Sequence, residues 1–113
     1  MVWRGEKELV RAMIAARRDR DRFFPADLFA DPAWDMLLDL YAARIEHQPV
    51  SVSSLCIAAA VPATTALRWI GQLAAAGLIE RTPHRSDKRK VMVSLTQGGI
   101  DAMRGYLYRE RAA

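Results

Sequence analysis

Arg85, Lys88, Arg89 and Lys90 fall within six consecutive positions, and Asp87 is the single opposing charge among them. Cations at that density on an exposed loop neutralise phosphates and release the counter-ions condensed on a duplex. An arginine at such a tip can also enter a minor groove, where narrow A·T tracts concentrate negative potential. A merely solvated loop is the bland alternative. Other chemistry has little to rest on. No nucleophile elbow, phosphate-cradling glycine loop or histidine–carboxylate pairing is present, so the chain does not read as an enzyme. Cys56, the one cysteine, can form neither an internal disulfide nor, by itself, a zinc site. It reads as a thiol in or near the core, with a redox switch as the minor reading. His47 reads as a ring beside the free carbonyls of a helix end, and His84 as an exposed loop histidine without chemistry. Neither a metal nor a cofactor is expected.

The charge is unevenly distributed. Residues 1–50 carry eight Lys/Arg against nine Asp/Glu, and residues 51–113 carry nine against four, so a surface suited to a polyanion belongs to the second half. Across residues 25–48, Asp27, Asp31, Asp35, Asp39 and Glu46 face only Arg44, an acidic segment expected to turn away from phosphate. A length of 113 residues, 51% of them hydrophobic, fits one compact domain with a packed core and leaves no room for a second, enzyme-sized one. The N-terminus lacks an apolar run with a small-residue cleavage site, and the longest apolar stretch, residues 55–61, stops at Pro62. A cytoplasmic chain with no membrane partner is the expectation.

The elements that would position the basic loop follow from periodicity. Residues 5–22 are rich in helix formers and place Leu9, Val10, Met13 and Ile14 on one side. Their last part, residues 17–22, alternates in sign and reads as a solvated face held by local ion pairs, with an arm touching DNA as the minor reading. Phe23-Phe24-Pro25 ends this helix, with the two rings expected to tuck into the core. Asp31-Pro32 caps and opens a second helix to about Glu46. On it Trp34, Leu37, Leu38, Tyr41 and Ile45 share a face and Met36 and Leu40 point elsewhere, which leaves solvent an acidic stripe of Asp35, Asp39 and Glu46. Residues 50–52 read as extended, Ser53 or Ser54 as the cap of a short helix to about Ala60, and Pro62 as the opening of another helix, 63–76, that ends at Gly77. Residues 78–82 and 90–95 read as strands of a hairpin, and Thr96 as the cap of a last helix to about Arg109 with Ile100, Met103, Tyr106 and Leu107 inward. The fold class is mainly α with a small β hairpin, a winged helix-turn-helix. Residues 1–48 supply the N-terminal helices and 49–113 the winged helix-turn-helix, in one compact unit.

In that architecture the second helix of the pair enters a major groove. Ala66, Trp69, Ile70 and Leu73 form its inner face by spacing. Thr64 and Arg68 lie opposite, flanked by Thr65, Leu67 and Gln72. Arg68 can hold a guanine edge in two hydrogen bonds or a phosphate in one, and the threonines can meet either base or backbone. Leu67 either touches thymine methyls or folds against its own domain. Gly71 faces outward at a cost of about 1 kcal/mol relative to alanine, either tolerated or making room for a close approach.

The stretch Asp87-Lys88-Arg89-Lys90-Val91-Met92-Val93-Ser94-Leu95-Thr96-Gln97-Gly98-Gly99 fits, at every specified position, the wing pattern D-x-R-x-x-x-V-x-L-T-x-x-G of the MarR family of bacterial transcriptional regulators. Gly77-Leu78-Ile79-Glu80-Arg81 is similar to that family's Gly-Leu-Ile-x-Arg entry into the first wing strand. The chain therefore resembles the MarR family over residues 50–105, and loosely over the first two helices. The resemblance implies a regulator that binds double-stranded DNA. Arg89 would enter the minor groove, Asp87 would hold its guanidinium by a charged hydrogen bond, and Arg81, Arg85, Lys88 and Lys90 would complete the basic surface. It also implies a homodimer and a small-molecule pocket. The final helix leaves little for an extended dimer arm, so the first helix, with Trp3, Leu9, Val10, Met13 and Ile14, is the candidate interface, and the effector is unassigned. The alternative is a winged-helix adaptor without intrinsic DNA specificity that docks a protein on the acidic helix 32–46.

Overall fold

The computed structural model describes residues 5–112; Trp3 of the candidate interface lies outside the described residues. Their order is α1 (Glu6–Arg20), a 3-10 turn (Ala26–Phe29), α2 (Pro32–Ile45), β1 (Val50–Ser51), α3 (Val52–Ala58), α4 (Ala63–Ala75), β2 (Ile79–Pro83), β3 (Val91–Leu95) and α5 (Gln97–Ala112).

α2 lies at the centre because its apolar residues run round more than one face. Met36, Leu38 and Tyr41 are fully buried and Leu40 and Ala42 nearly so, and the helix packs on α1, α3, α4, α5 and β3. A helix of that kind is stable only when covered from several sides. Asp31 Oδ1 accepts the Trp34 N–H at 3.4 Å, and Pro32 takes the first helical position. At the other end His47 adopts a left-handed φ of 56°, and Gln48 N donates to Ala43 O at 2.8 Å. The carbonyls expected to meet the His47 ring are thus met by backbone N–H groups, and the residue is exposed.

The acidic stripe of α2 is not left to solvent. Asp35 is 7% exposed and receives Arg17 Nε, Arg17 Nη2 at 3.3 Å and Arg18 Nη2 at 2.6 Å. Arg11 pairs with Glu46, and desolvation pushes the half-buried Asp39 carboxyl up against the pull of Arg11. The alternating run at the end of α1 therefore has two jobs. Arg17 and Arg18 reach across to α2, while Arg18–Asp21 and Arg22–Asp19 form the local pairs foreseen from sequence, at 3.3 and 3.1 Å. Higher on α1, the buried Glu6 accepts the Tyr41 hydroxyl. Burial first and Glu6 second push that phenol up to about 12.

Phe23 and Phe24 do not enter the core; they are 72% and 50% exposed. Their backbone N–H groups bond back to Arg20 O at 3.1 Å, which closes the turn before either ring can reach α2. Local partners take the rings instead. Phe24 meets Phe29 edge-on at 5.4 Å, and Arg20 and Arg22 lie over Phe29 and Phe23.

β1, β3 and β2 form a three-stranded antiparallel sheet in that order, with Val50 opposite Val93 and Arg81 opposite Val93 on the other side. The hairpin read from sequence thus gains a third, two-residue strand. Val93 and Leu95 point inward at the two-residue period of a strand. α3 follows β1 without a break, so Ser51 is the cap, its Oγ accepting Ser54 N–H at 3.1 Å, rather than Ser53 or Ser54. The chain bends by 110° between α3 and α4, the crossing of a helix-turn-helix. Among the described residues no single helix is long and apolar enough to cross a membrane. α4 buries Ala66, Ile70 and Leu73 and stops at Gly77, whose φ is 77°. In α5, Ile100, Met103 and Leu107 are buried, whereas Tyr106 is 45% exposed and lies edge-on to Trp34 at 5.2 Å.

Candidate nucleic-acid interface

The open side of α4 and the β2–β3 hairpin lie on either side of a shallow furrow. With Ala66, Ile70 and Leu73 turned inward, the helix leaves Thr64, Leu67, Arg68 and Gln72 exposed, and Thr65 is half-buried. Trp69, expected inside, is also only half-buried. A β-carbon on Gly71 would meet nothing within 4 Å, so no packing among the described residues accounts for that glycine.

The furrow has a volume of about 420 Å³ and is lined by Ser51, Val52, Ser53, Leu67, Arg81, Arg89, Lys90 and Val91. Leu67, half exposed, therefore borders the space between helix and hairpin instead of lying under its own domain. Arg81 from β2 comes together here with Arg89 and Lys90 from the end of the hairpin loop, just before β3. Thr64, Arg68 and Gln72 lie on α4 outside the furrow lining, as do Arg85 and Lys88 in the exposed loop of the hairpin. Ser51 and Ser53 were not foreseen at this surface. Their place depends on β1 pairing with β3, a register that residues 50–52 do not disclose by themselves.

The hairpin loop is tied by its own hydrogen bonds. His84 N donates to Lys90 O at 3.1 Å, and Lys90 N to Asp87 O at 3.0 Å. His84 Nδ1 accepts the backbone N–H groups of Ser86 and Asp87 at 3.1 and 3.0 Å. His84 is half-buried rather than free, a role for which the sequence signal was a hydrogen-bond acceptor three positions ahead of Asp87. Asp87 Oδ1 in turn accepts Arg89 N at 3.0 Å and Arg89 Nε at 3.2 Å. These contacts, the backbone N–H before the guanidinium, hold the Asp87 carboxyl below the usual carboxylate range. The Arg89 side chain remains 91% exposed, oriented at one nitrogen and open at the others. An exposed guanidinium on a short tether can donate to phosphate or to the floor of a minor groove.

Among the described residues no group of three His, Cys, Asp or Glu could hold a metal ion. Cys56 is half-buried and packs against the core.

A helix pair crossing at 110° and followed by a basic antiparallel hairpin defines a winged helix. Residues 35–99 match the winged helix DNA-binding domain family, and the chain belongs to that family. No curated protein matches it in sequence. Solved structures do share its fold. S. aureus MepR in its DNA-binding conformation is similar at 18% identity and a TM-score of 0.63, over 87% of this chain and 72% of its own. A mutant E. coli MarR complexed with operator DNA is similar at 21% identity and a TM-score of 0.57, over 94% of this chain and 65% of its own. For a MepR mutant from a multidrug-resistant S. aureus clinical isolate the figures are 21% and 0.61, over 66% of this chain; the chain spans about half, 53%, of that relative's length. The resemblance to MarR-family regulators read from the wing thus extends to the fold.

Proposed function

We propose that this chain is a DNA-binding transcriptional regulator that places α4 in a major groove and lays its hairpin along the backbone, with Arg89 in or beside the minor groove. The observation that carries the reading is the Asp87–Arg89 arrangement, an oriented and 91% exposed guanidinium on the wing of a winged helix DNA-binding domain. Thr64, Thr65, Leu67, Arg68 and Gln72 are the candidate readers on α4. Arg81, Arg85, Lys88 and Lys90 supply the sequence-independent attraction to phosphate. DNA is also the partner named for the MarR structure of the same fold.

A homodimer is the assembly proposed for operator binding, with two half-sites about one helical turn apart. Its interface is not simply the apolar stripe of α1. Val10 is buried, and Leu9, Met13 and Ile14 pack on the core of the same chain. The adaptor alternative loses much of its docking surface for a similar reason, since Asp35 and Glu46 are engaged by arginines of α1.

Titration of the purified protein against a genomic fragment library at several salt concentrations tests the proposal. The expected result is duplex binding that weakens steeply with salt and selects a recurring motif, whose half-site spacing reports a dimer. Absence of any salt-dependent duplex binding would overturn it. Arg89→Ala is expected to weaken binding with the fold intact, and unchanged affinity would remove Arg89 from the interface.

A further inference from the structure

We infer that His84 is a positioning residue of the wing: its unprotonated Nδ1 fixes the backbone at Asp87, and Asp87 then holds Arg89 in the orientation in which it meets DNA. The inference rests on the reading of Arg89 as a duplex contact.

The geometry is a relay of short steps. Two backbone N–H groups, of Ser86 and Asp87, converge on His84 Nδ1 at 3.1 and 3.0 Å. The Ser86 hydroxyl stands 3.5 Å from the same nitrogen. A ring nitrogen that accepts carries no proton, so the imidazole is neutral with its hydrogen on Nε2. The His84 backbone is itself pinned, its N–H bonded to Lys90 O at 3.1 Å, and Lys90 N–H closes the loop on Asp87 O at 3.0 Å. Asp87 is thereby held at its N–H and its carbonyl, and its carboxylate is left to take Arg89 N and Nε. Without the acceptor at residue 84, both converging N–H groups turn to water and the Asp87 carboxylate loses its fixed position. The 91% exposed Arg89 side chain would then have to be ordered by the duplex itself, at the entropic cost that preorganisation avoids.

Nothing in this role needs an imidazole as such. An asparagine side-chain oxygen can accept backbone N–H groups two or three residues ahead in the same manner. His84→Asn therefore keeps the relay, and His84→Ala removes it.

The test is a double-mutant cycle read as affinity for a duplex containing an A·T tract, at fixed salt and neutral pH, with circular dichroism on each variant. His84→Ala is expected to weaken binding about three- to tenfold, the size of one net hydrogen bond, and His84→Asn to bind like the wild type. In the Arg89→Ala background, His84→Ala should cost nothing further. A full additional loss in that background, or wild-type affinity for His84→Ala where Arg89→Ala binds weakly, overturns the inference and leaves the reading of Arg89 standing. Wild-type affinity for Arg89→Ala overturns both. Nitrogen-15 spectra of the wild-type imidazole need no variant; a hydrogen found on Nδ1 overturns the inference whatever the binding shows.

Discussion

A β-carbon on Gly99 would overlap the carbonyl oxygen of Leu78 and stand 3.0 Å from its carbonyl carbon, so the first turn of α5 rests directly on the turn that leads from α4 into β2. The Thr96 hydroxyl fastens the same junction, donating to Gly77 O at 2.6 Å and accepting Gly99 N–H at 3.0 Å. Gly99→Ala must push α5 away from backbone that cannot yield. Overpacking of this kind costs about 1–3 kcal/mol, more than the roughly 1 kcal/mol that alanine gains in a helix. A fall in the thermal midpoint on the order of 5 °C is expected by circular dichroism. An unchanged or raised midpoint would deny the close approach.

Gly71 is the opposite case. It sits within α4, and a β-carbon there meets nothing within 4 Å. Gly71→Ala is expected to stabilise the fold by about 0.5–1 kcal/mol, the helix-propensity gain alone. The informative comparison is with DNA. If the stabilised variant binds a selected duplex as well as the wild type, the glycine is merely tolerated; if it binds less well, the duplex backbone approaches that position.

These two glycines mark what was legible in the sequence. Every specified position of the wing pattern has a physical cause in the structure: Asp87 and Arg89 hydrogen-bond, Val93 and Leu95 point inward, Thr96 caps α5, and Gly99 admits Leu78 O. Each of these constraints demands one residue type at one position, and such demands survive as motif. The structure departs from the sequence reading where the outcome depends on a partner or a turn that residue type does not specify. Nothing near Arg17 or Asp35 announces that they meet across 18 positions, so from sequence a buried bridge between helices reads as solvated charge. Residue type alone points Phe23 and Phe24 into the core, while the turn that keeps them outside is decided by backbone bonds to Arg20. Ser53 and Ser54 are reasonable caps by type, but the pairing of Val50 with Val93 and of Ser51 with Met92 carries β1 up to the residue before α3, and that selects Ser51.

Asp35 gathers Arg17 and Arg18 while itself only 7% exposed. Removing the carboxylate leaves the Arg17 guanidinium, 15% exposed, without its ion-pair partner and with the Phe29 carbonyl oxygen at 3.4 Å as its remaining acceptor among the described residues. Breaking one side of such a pair costs more than the pair is worth, because the remaining charge stays desolvated. Asp35→Ala is expected to destabilise the fold by about 2–3 kcal/mol, with chemical denaturation as the measurement. A loss below about 0.5 kcal/mol would class the bridge with exposed pairs that contribute little.

Asp39 has the reverse electrostatic sign. Desolvation raises its carboxyl above the ordinary value, and Arg11 only partly offsets this. A carboxyl raised on folding favours the protonated folded chain, so its contribution is most favourable at pH below the unfolded value and declines as pH rises through the folded one. Asp39→Asn removes that penalty. Its thermal midpoint should exceed that of the wild type at neutral pH, and the difference should close as the buffer is taken below the usual carboxylate range. A difference that stays constant with pH would assign the effect to something other than ionisation.

Arg68 and Thr64 lie one turn apart on the side of α4 away from Ala66, Ile70 and Leu73, both exposed. From that side a guanidinium reaches either a guanine edge or a phosphate, and the two contacts leave different traces. Loss of a base contact costs about 1–3 kcal/mol on the preferred sequence and little elsewhere, whereas loss of a phosphate contact weakens all sequences alike and lowers the salt slope by about one. Arg68→Ala is expected to flatten the motif recovered by duplex selection at one position, because α4 presents few other long polar groups to a major groove. A uniform loss with a reduced salt slope would make Arg68 a phosphate contact and leave Thr64, Thr65, Leu67 and Gln72 to carry whatever sequence preference the protein has.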